Sequence, residues 1–261
     1  MSNYWQDRML LSQQAVANKS IKQIERQLRK YYLAAAKQCI NDFEAVYDKI
    51  IATQEAGKEI TPADLYKLDK YWIAQAQLRD ELIKLGNKEI KLLSKAFEQS
   101  WFDVYYSLVI PNIHDSEYHN VDKELVQQMI NRIWCADGKS WSDRIWQNTD
   151  ELLEMLNEEL VHCVATGKKT TDLKNLLQER FGVSYSRADA LVRTEIAHIH
   201  TEAAKQRYED YGIQMVEIWA DEDERRCEKC GKLHQKRFPI GAAVPIPAHP
   251  RCRCCIVPVV E

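Results

Sequence analysis

Five residues in the last part of the chain have side chains that bind soft divalent metals, and they occur in two clusters. Cys227 and Cys230 form a Cys-x-x-Cys pair, and His249, Cys252 and Cys254 follow after an interval of eighteen residues. Two short turns that each supply thiolate or imidazole ligands are typical of a tetrahedral structural zinc site. The sequence therefore predicts that Zn²⁺ joins the two clusters.

The choice of ligands depends on how the second cluster folds. If it forms a strand, Cys252 and Cys254 point to one face and Cys255 points away from them. The preferred set of four ligands is then Cys227, Cys230, Cys252 and Cys254, and His249 is able to replace one of them. A bound ion would fasten the intervening loop, because structural zinc supplies about 10 kcal/mol or more of folding free energy in small modules. Packed free thiols, or a disulfide without metal, remain the alternative.

The cysteine content as a whole favours metal binding in a reducing compartment. Of the 8 cysteines, five fall within residues 227–255, whereas a secreted disulfide scaffold would spread them along the chain. The sequence shows no apolar signal core at its start and no run of 18 apolar residues, so neither export nor membrane spanning is expected. With 45% hydrophobic residues, 29% charged residues and a net charge of -3, the chain has the composition of a globular protein and not of a polycation.

The first two thirds of the chain is poor in glycine and proline, and its apolar residues recur at helical spacing. The pattern predicts a helix over residues 10–56 and a second helix that begins at Thr61, the two packed as a long antiparallel hairpin. Gly86 and Asn87 are predicted to end the second helix, and a third helix is predicted to run to Val109.

Shorter helices and two strands are predicted for the rest of the chain. After a loop over 111–120, the predicted helices span 121–134, 140–165, 172–181 and 186–211, with Gly182 as the stop between the last two. Strands are predicted over 213–220 and 251–260. The expected fold is therefore mainly α, with a long N-terminal helical hairpin, a helical middle and a small C-terminal α+β module whose short β-hairpin is stapled by zinc.

The order of motifs in the C-terminal part resembles that of one protein family. Arg193-Thr194-Glu195 lies on a predicted helix, the Cys-x-x-Cys pair follows, and the ending reads His249-Pro250-Arg251-Cys252-Arg253-Cys254. This series is similar to the C-terminal domain of the phage Mu F-like, or phage head morphogenesis, family of minor head proteins. The resemblance covers about residues 125–261 and is sharpest from Arg187 onward.

The resemblance implies a structural role in the head of a tailed phage or of a prophage. Such proteins occur in few copies in the procapsid and virion, are associated with the portal, and act in head assembly or in DNA packaging and ejection. The implied partners are the portal protein and the scaffold or major capsid protein, and the implied location is the virion, after assembly in the host cytoplasm. No enzymatic reaction and no membrane contact are implied.

The same reading predicts two domains. A helical arm is expected over residues 1–120, and a Mu F-like head morphogenesis domain over residues 121–261. Within the second domain, residues 213–261 are expected to form a Cys-rich β module.

Arg193 and Glu195 are predicted to have a structural role. Because they are two residues apart on a helix, their side chains point in directions about 160° apart and cannot both face one ligand. A buried charge needs a partner. The interpretation is that one of the pair is buried and satisfied by the loop near the cysteines, which holds helix to sheet.

Residues 225–261 are rich in basic side chains and are candidates for contact with DNA phosphates. The candidates are Arg225, Arg226, Lys229, Lys232, Lys236, Arg237, Arg251 and Arg253. Only Glu228 and Glu261 oppose them, so the local balance is 8 minus 2, or +6. The alternative is a solvated face that the acidic run over 221–224 partly neutralises.

Two other functions are open on the residues alone. A zinc-containing HNH-like nuclease acting on DNA would use His249 as general base, with Asp221, Asp223 and Glu195 as available carboxylates. Against it, His249 precedes Pro250 within the ligand cluster, and no second histidine follows at the expected helical spacing. A cellular zinc-ribbon adaptor is the third interpretation, which nothing before Arg187 supports.

Overall fold

A computed structural model of the protein describes residues 4–56, 61, 64, 67, 69–109, 121–220, 224, 226–242 and 244–259. Among the described residues, the longer helices of the first part are α1 (Tyr4–Glu55), α2 (Asp69–Ser107), α3 (Lys123–Ile130), α4 (Trp141–Thr166) and α5 (Thr170–Asp210). The remaining elements are β1 (Met215–Trp219), a short helix α6 (Glu228–Leu233), β2 (Arg237–Pro239) and β3 (Cys255–Pro258). The predicted class, mainly α with a small C-terminal α+β module, is confirmed. None of these helices combines the length and the apolar character that crossing a bilayer requires.

The chain forms two compact units, each assembled from separate segments. The helical unit comprises residues 25–91 and 142–189, and the sheet-containing unit comprises residues 1–24, 92–141 and 190–261. The predicted domains, divided at residue 120, are continuous stretches of chain, whereas each compact unit combines separate segments. The predicted division stays a prediction. The predicted helix start near Thr61 and the predicted loop over 111–120 fall mostly outside the described residues.

The helical unit is held by one apolar core to which α1, α2, α4 and α5 all contribute. Phe43 of α1, Leu82 of α2 and Leu156 of α4 are almost fully buried in it. Tyr47 reaches across the core, where its hydroxyl donates to the carbonyl oxygens of Cys163 and Lys168 at 2.9 and 2.6 Å. Amphipathic helices of this length are stabilised mainly by such burial of their apolar stripes.

The predicted helix break at Gly86 is wrong, because α2 continues through it. A Cβ atom at Gly86 would lie only 2.8 Å from Cζ3 of Trp146 on α4. The glycine therefore serves close packing between two helices instead of ending one. Composition alone cannot distinguish these uses, since both require the absence of a side chain.

The predicted stop at Gly182 is also wrong, because α5 runs without interruption from Thr170 to Asp210. Nothing lies within 4 Å of the position that a Cβ would occupy at Gly182. The helix instead ends just before Gly212, which adopts a positive φ of 73° that favours glycine.

The sheet has three antiparallel strands in the order β2-β1-β3, so β1 is central. The predicted pairing of two strands corresponds to β1 and β3, in which Glu217 faces Val257 in register. The third strand, β2, was not predicted, because three residues are too few for an alternating pattern to be recognised.

Strand β3 is anchored by polar side chains from two helices of the same unit. Gln13 of α1 donates to the carbonyl oxygen of Ile256 at 2.9 Å, and the Tyr208 hydroxyl of α5 donates to the same oxygen at 3.3 Å. Burial raises the pKa of Tyr208 well above its ordinary value, so its hydroxyl stays protonated as a donor. The strand that follows the second cysteine cluster is thus held at Ile256 by side chains from two helices.

Candidate metal centre

The first ligand cluster is formed by the start of α6. Cys227 is the N-cap residue of this helix, and its Sγ accepts a hydrogen bond from the backbone N–H of Cys230 at 3.4 Å. This bond lowers the pKa of the Cys227 thiol and turns both sulfur atoms toward the same side of the turn. Cys230 itself is buried.

The second cluster lies in the loop that leads into β3 and not, as predicted, in the strand itself. Cys252 and Cys254 precede the first strand residue, Cys255, so their shared orientation comes from the loop and not from strand alternation. Both are buried. Cys255 packs instead in an apolar cluster with Leu10 and Trp219, and it belongs to neither group of candidate ligands.

His249 is oriented by the loop so that one ring nitrogen faces the cysteines. Its Nδ1 lies 2.8 Å from the carbonyl oxygen of Pro250, which can only accept, so Nδ1 carries the proton. The Nε2 atom then has a lone pair and lies 3.1 Å from Cys230 Sγ. An imidazole held by a backbone carbonyl through its other nitrogen is the usual arrangement of a metal-binding histidine.

The donor atoms gather in two overlapping sets of three that share Cys230. One set is Cys227, Cys230 and His249, the other is Cys230, Cys252 and Cys254, and within each set all donor atoms lie within 4.8 Å of one another. The Sγ atoms of Cys230 and Cys252 are 3.8 Å apart. For Zn–S bonds of about 2.3 Å, a tetrahedral site has an S–S edge of about 3.8 Å. The structure therefore places the five predicted donors in two sets of three that meet at Cys230, and either set could hold a metal ion, but the preferred four do not form one set.

The two thiols of the second cluster, Cys252 and Cys254, have pKa values shifted in opposite directions. A hydrogen bond from the Cys254 thiol lowers the pKa of Cys252 to about 5, and the same bond raises the pKa of Cys254. Burial raises the pKa of Cys230 to about 12. The protein alone thus favours thiolate on Cys252 and thiol on Cys230 and Cys254, and a divalent cation would supply the charge that lets the others ionise.

Helix α5 holds the second cluster through Thr194, the middle residue of the Arg-Thr-Glu motif. The backbone N–H of Arg251 donates to Thr194 Oγ1 at 3.1 Å, and the same hydroxyl donates to the carbonyl oxygen of Ala190 at 2.7 Å. Arg251 has a φ of 62°, a region that residues other than glycine rarely adopt. The hydrogen bond therefore fixes a strained turn between two candidate ligands. The sequence marks Thr194 only as part of the Arg-Thr-Glu motif, and its contact with the loop was not predicted.

Glu195 is the buried member of the pair that was predicted to be structural. Only 3% of it is exposed, and its carboxylate accepts a hydrogen bond from Nε1 of Trp134 at 3.0 Å. Trp134 in turn stacks on His198, with ring centroids 4.3 Å apart. Arg193 is half-buried. Thr194 is a member of this motif that contacts the cysteine loop, and the structural role of Arg193 and Glu195 stays a prediction.

Most of the basic residues proposed for DNA contact are exposed. Arg226, Lys229, Lys232, Lys236, Arg237 and Arg251 are exposed, Arg253 is half-buried, and Arg225 lies outside the described residues. Two of them are partly neutralised, since Lys232 pairs with Glu228 at 2.5 Å and Arg237 pairs with Glu217 at 3.0 Å. Contact with DNA stays a prediction.

If four of the five donors bound one ion, the site would be closed by protein ligands. Both sets contain only cysteine and histidine, and no carboxylate joins either of them in the part of the chain that the structure describes. Four protein donors leave no open position for a substrate or a reactive water. Asp221 and Asp223, the carboxylates considered for a nuclease, lie outside the described residues.

Comparison with known proteins agrees with the motif order. The family model described as Phage Mu protein F like protein matches residues 154–257, a stretch that includes all five candidate ligands and Thr194. Neither the curated proteins nor the solved structures contain a match to the chain. Over residues 154–257 this chain is therefore similar to the phage Mu F-like family.

Proposed function

We propose that this protein is a minor head protein of a tailed phage or prophage, with a structural and not a catalytic role. The match of residues 154–257 to the phage Mu F-like family supports a part in head morphogenesis and a location in the virion. The finer elements of the proposal are association with the portal and action in head assembly or in DNA packaging and ejection. The protein-only donor set supports a scaffolding use of the C-terminal module.

The module carries, in this proposal, one structural Zn²⁺ held by four of the five Cys and His donors. The single observation that supports it most directly is the position of Cys230, which lies within ligand distance of donors from both clusters. Soft thiolate and imidazole ligands select zinc among the common divalent ions of the cell. The ion would tie α6 to the loop before β3.

Metal analysis of the full chain tests the zinc site. Protein purified under reducing conditions should contain about one zinc per chain. Substitution with Co²⁺ should then give the intense sulfur-to-metal charge-transfer absorption of a thiolate site. A chain that binds neither ion and has all its thiols free would overturn the proposal.

Association with the portal is tested with the full chain and the portal protein encoded in the same phage or prophage genome. Co-expression followed by affinity purification should recover the two together, and a portal gene should lie beside the gene for this protein. Capture of a scaffold or capsid protein without the portal would reassign the partner. Recovery of neither would remove the proposed place in the head.

The absence of catalysis is tested against the nuclease alternative. Plasmid DNA incubated with the protein and Mg²⁺ or Mn²⁺ should remain intact. Cleavage that depends on the divalent ion and is abolished by His249→Ala would instead favour the HNH-like enzyme.

A further inference from the structure

A groove runs along the surface of the helical unit between α1 and the first part of α5. Its volume is about 780 Å³, and its floor is formed by apolar and aromatic residues that include Ala36, Ile40 and Phe181. No part of the candidate metal centre lines it. The groove is therefore a separate feature that the proposed function does not explain.

The two walls of the groove follow the helical repeat. Arg29, Leu33 and Lys37 line it from α1, and Lys174, Gln178 and Gly182 line it from α5, each series at intervals of four residues. At one end Lys174 forms an ion pair with Glu44 at 2.5 Å. Residues 29–44 span about 22 Å at the helical rise of 1.5 Å per residue, which is the length of about four helical turns.

The groove is left open by the choice of small and exposed residues. Leu33 is 62% exposed at its wall, although a leucine in such a position would gain by being covered. Gly182 stands inside a long helix, where glycine is unfavourable, and a Cβ there would contact nothing within 4 Å. Both residues have the features of a surface that another molecule covers.

The charges of the lining residues indicate the kind of molecule that the groove would bind. The lining residues include three cations, Arg29, Lys37 and Lys174, and one carboxylate, Glu44. We propose that the groove binds an amphipathic helix of a partner protein, with its apolar face on the floor and aspartate or glutamate residues along the α1 flank, where Arg29 and Lys37 lie. Binding of a helix in a groove uses apolar anchors three or four residues apart, and complementary charge at the rim sets orientation and selectivity. This proposal does not depend on the metal site or on the identity of the partner.

The test is a selection of helical peptides from a displayed library, with the full-length protein as bait. Gly182→Leu adds a side chain at the groove lining, and its Cβ has no atom of a residue elsewhere in the chain within 4 Å. Selected peptides should have apolar residues at helical spacing flanked by acidic ones, and their affinity should fall at least about tenfold on Gly182→Leu. Lys37→Glu should also weaken binding, by a factor that shrinks as salt is added.

Glu179→Leu is the matched control. Glu179 is exposed on the same helix but does not line the groove, and its removal leaves the basic rim intact. Peptide affinity should be unchanged in this variant, and the thermal midpoints of Gly182→Leu and Glu179→Leu should be no lower than that of the parent protein. A selection that yields no binder, yields basic peptides, or yields binders indifferent to Gly182→Leu would overturn the proposal. So would self-association of the protein that Gly182→Leu abolishes, because the groove would then hold a second copy of this chain.

Discussion

The core of the helical unit and the segment that carries the candidate ligands are built from different kinds of buried residue. In the helical unit one large core of aliphatic and aromatic side chains accounts for most of the buried residues. Among the described residues from 226 to 254, here called the Cys segment, the buried ones are Ile246 and three cysteines, Cys230, Cys252 and Cys254. A segment with so little apolar surface to bury cannot offset the entropy of ordering its own loop. The comparison teaches that thiols occupy the place of a hydrophobic core there, so the order of this segment should depend on what they bind.

Removal of the shared ligand should have the largest effect. Cys230→Ser takes away the donor common to both sets, so zinc content should fall from about one per chain to near zero. The Cys segment should then lose its protection from hydrogen exchange, because metal binding of this type supplies on the order of 10 kcal/mol of folding free energy. Elemental analysis and exchange measured by mass spectrometry provide the readouts.

Two controls separate loss of metal from general loss of stability. Cys255→Ala removes a buried thiol outside both sets and should leave the zinc content unchanged. Phe43→Ala should cost the helical unit about 3–5 kcal/mol through loss of buried volume, again without loss of zinc. The comparison fails if Cys230→Ser retains the ion, or if Phe43→Ala releases it.

Lowering the pH should increase the stability of the helical unit and decrease the stability of the sheet-containing unit. In the helical unit, burial raises the pKa of Glu89 to about 7 from an ordinary 4.5, so the native state binds more protons than the unfolded chain between these values. Stability from Glu89 therefore increases as the pH falls from 7 toward 4.5. In the sheet-containing unit, burial lowers the pKa of His200 to about 3 and, with Arg132 nearby, that of His198 to about 4. The stability that these two buried histidines contribute is fully present above about pH 6.5 and is lost as the pH falls.

By proton linkage, each of these three residues should change the free energy of unfolding by about 2 kcal/mol between pH 7 and pH 5. Native-state hydrogen exchange at pH 7 and pH 5, corrected for intrinsic rates, should show increased protection around Glu89 and reduced protection around His200. Glu89→Gln should abolish the gain, and His200→Gln should abolish about half of the loss, because His198 contributes a similar amount. An equal change of protection in both units would contradict the predicted opposite effects of pH.

The two glycines inside helices should respond differently to the same methyl group. Gly86→Ala forces a contact with Trp146, whereas Gly182→Ala adds a methyl group in open space and improves helix propensity by roughly 0.5–1 kcal/mol. The first variant should therefore be less stable than the second by about 1–3 kcal/mol in urea unfolding. Identical unfolding midpoints would mean that Gly86 has no packing role.

Loss of the Thr194 hydroxyl should have the smallest effect, confined to the Cys segment. Thr194→Val removes the acceptor for the Arg251 N–H and should cost about 1 kcal/mol. Because this hydroxyl positions the loop between candidate ligands, zinc affinity measured by chelator competition should fall roughly 10-fold. Thr201→Val is the control, since its hydroxyl makes the same kind of bond to a carbonyl four residues earlier, that of Ala197 at 2.9 Å. An equal change in both variants would remove the role assigned to Thr194.

What the sequence predicts well is what side-chain type and spacing alone determine. The helical class follows from apolar periodicity, and the gathering of Cys227, Cys230 and His249 follows from soft donors in two short clusters. The errors occur where one residue type has two uses. Gly86 and Gly182 look like helix stops, yet one allows a close approach and the other leaves a groove open. The role of Thr194 is invisible because it depends on a tertiary contact 57 residues away along the chain.

The anchor of β3 has a consequence for the order of folding. Gln13 and Ile256, which it joins, are 243 residues apart in the chain. Contacts of such high sequence separation form slowly, since a long loop must close before any of them contributes. We expect helix formation and local helix pairing to precede closure of the sheet-containing unit. The sulfur ligands would then meet only after most of the chain has acquired its shape, which makes metal uptake a late step in maturation.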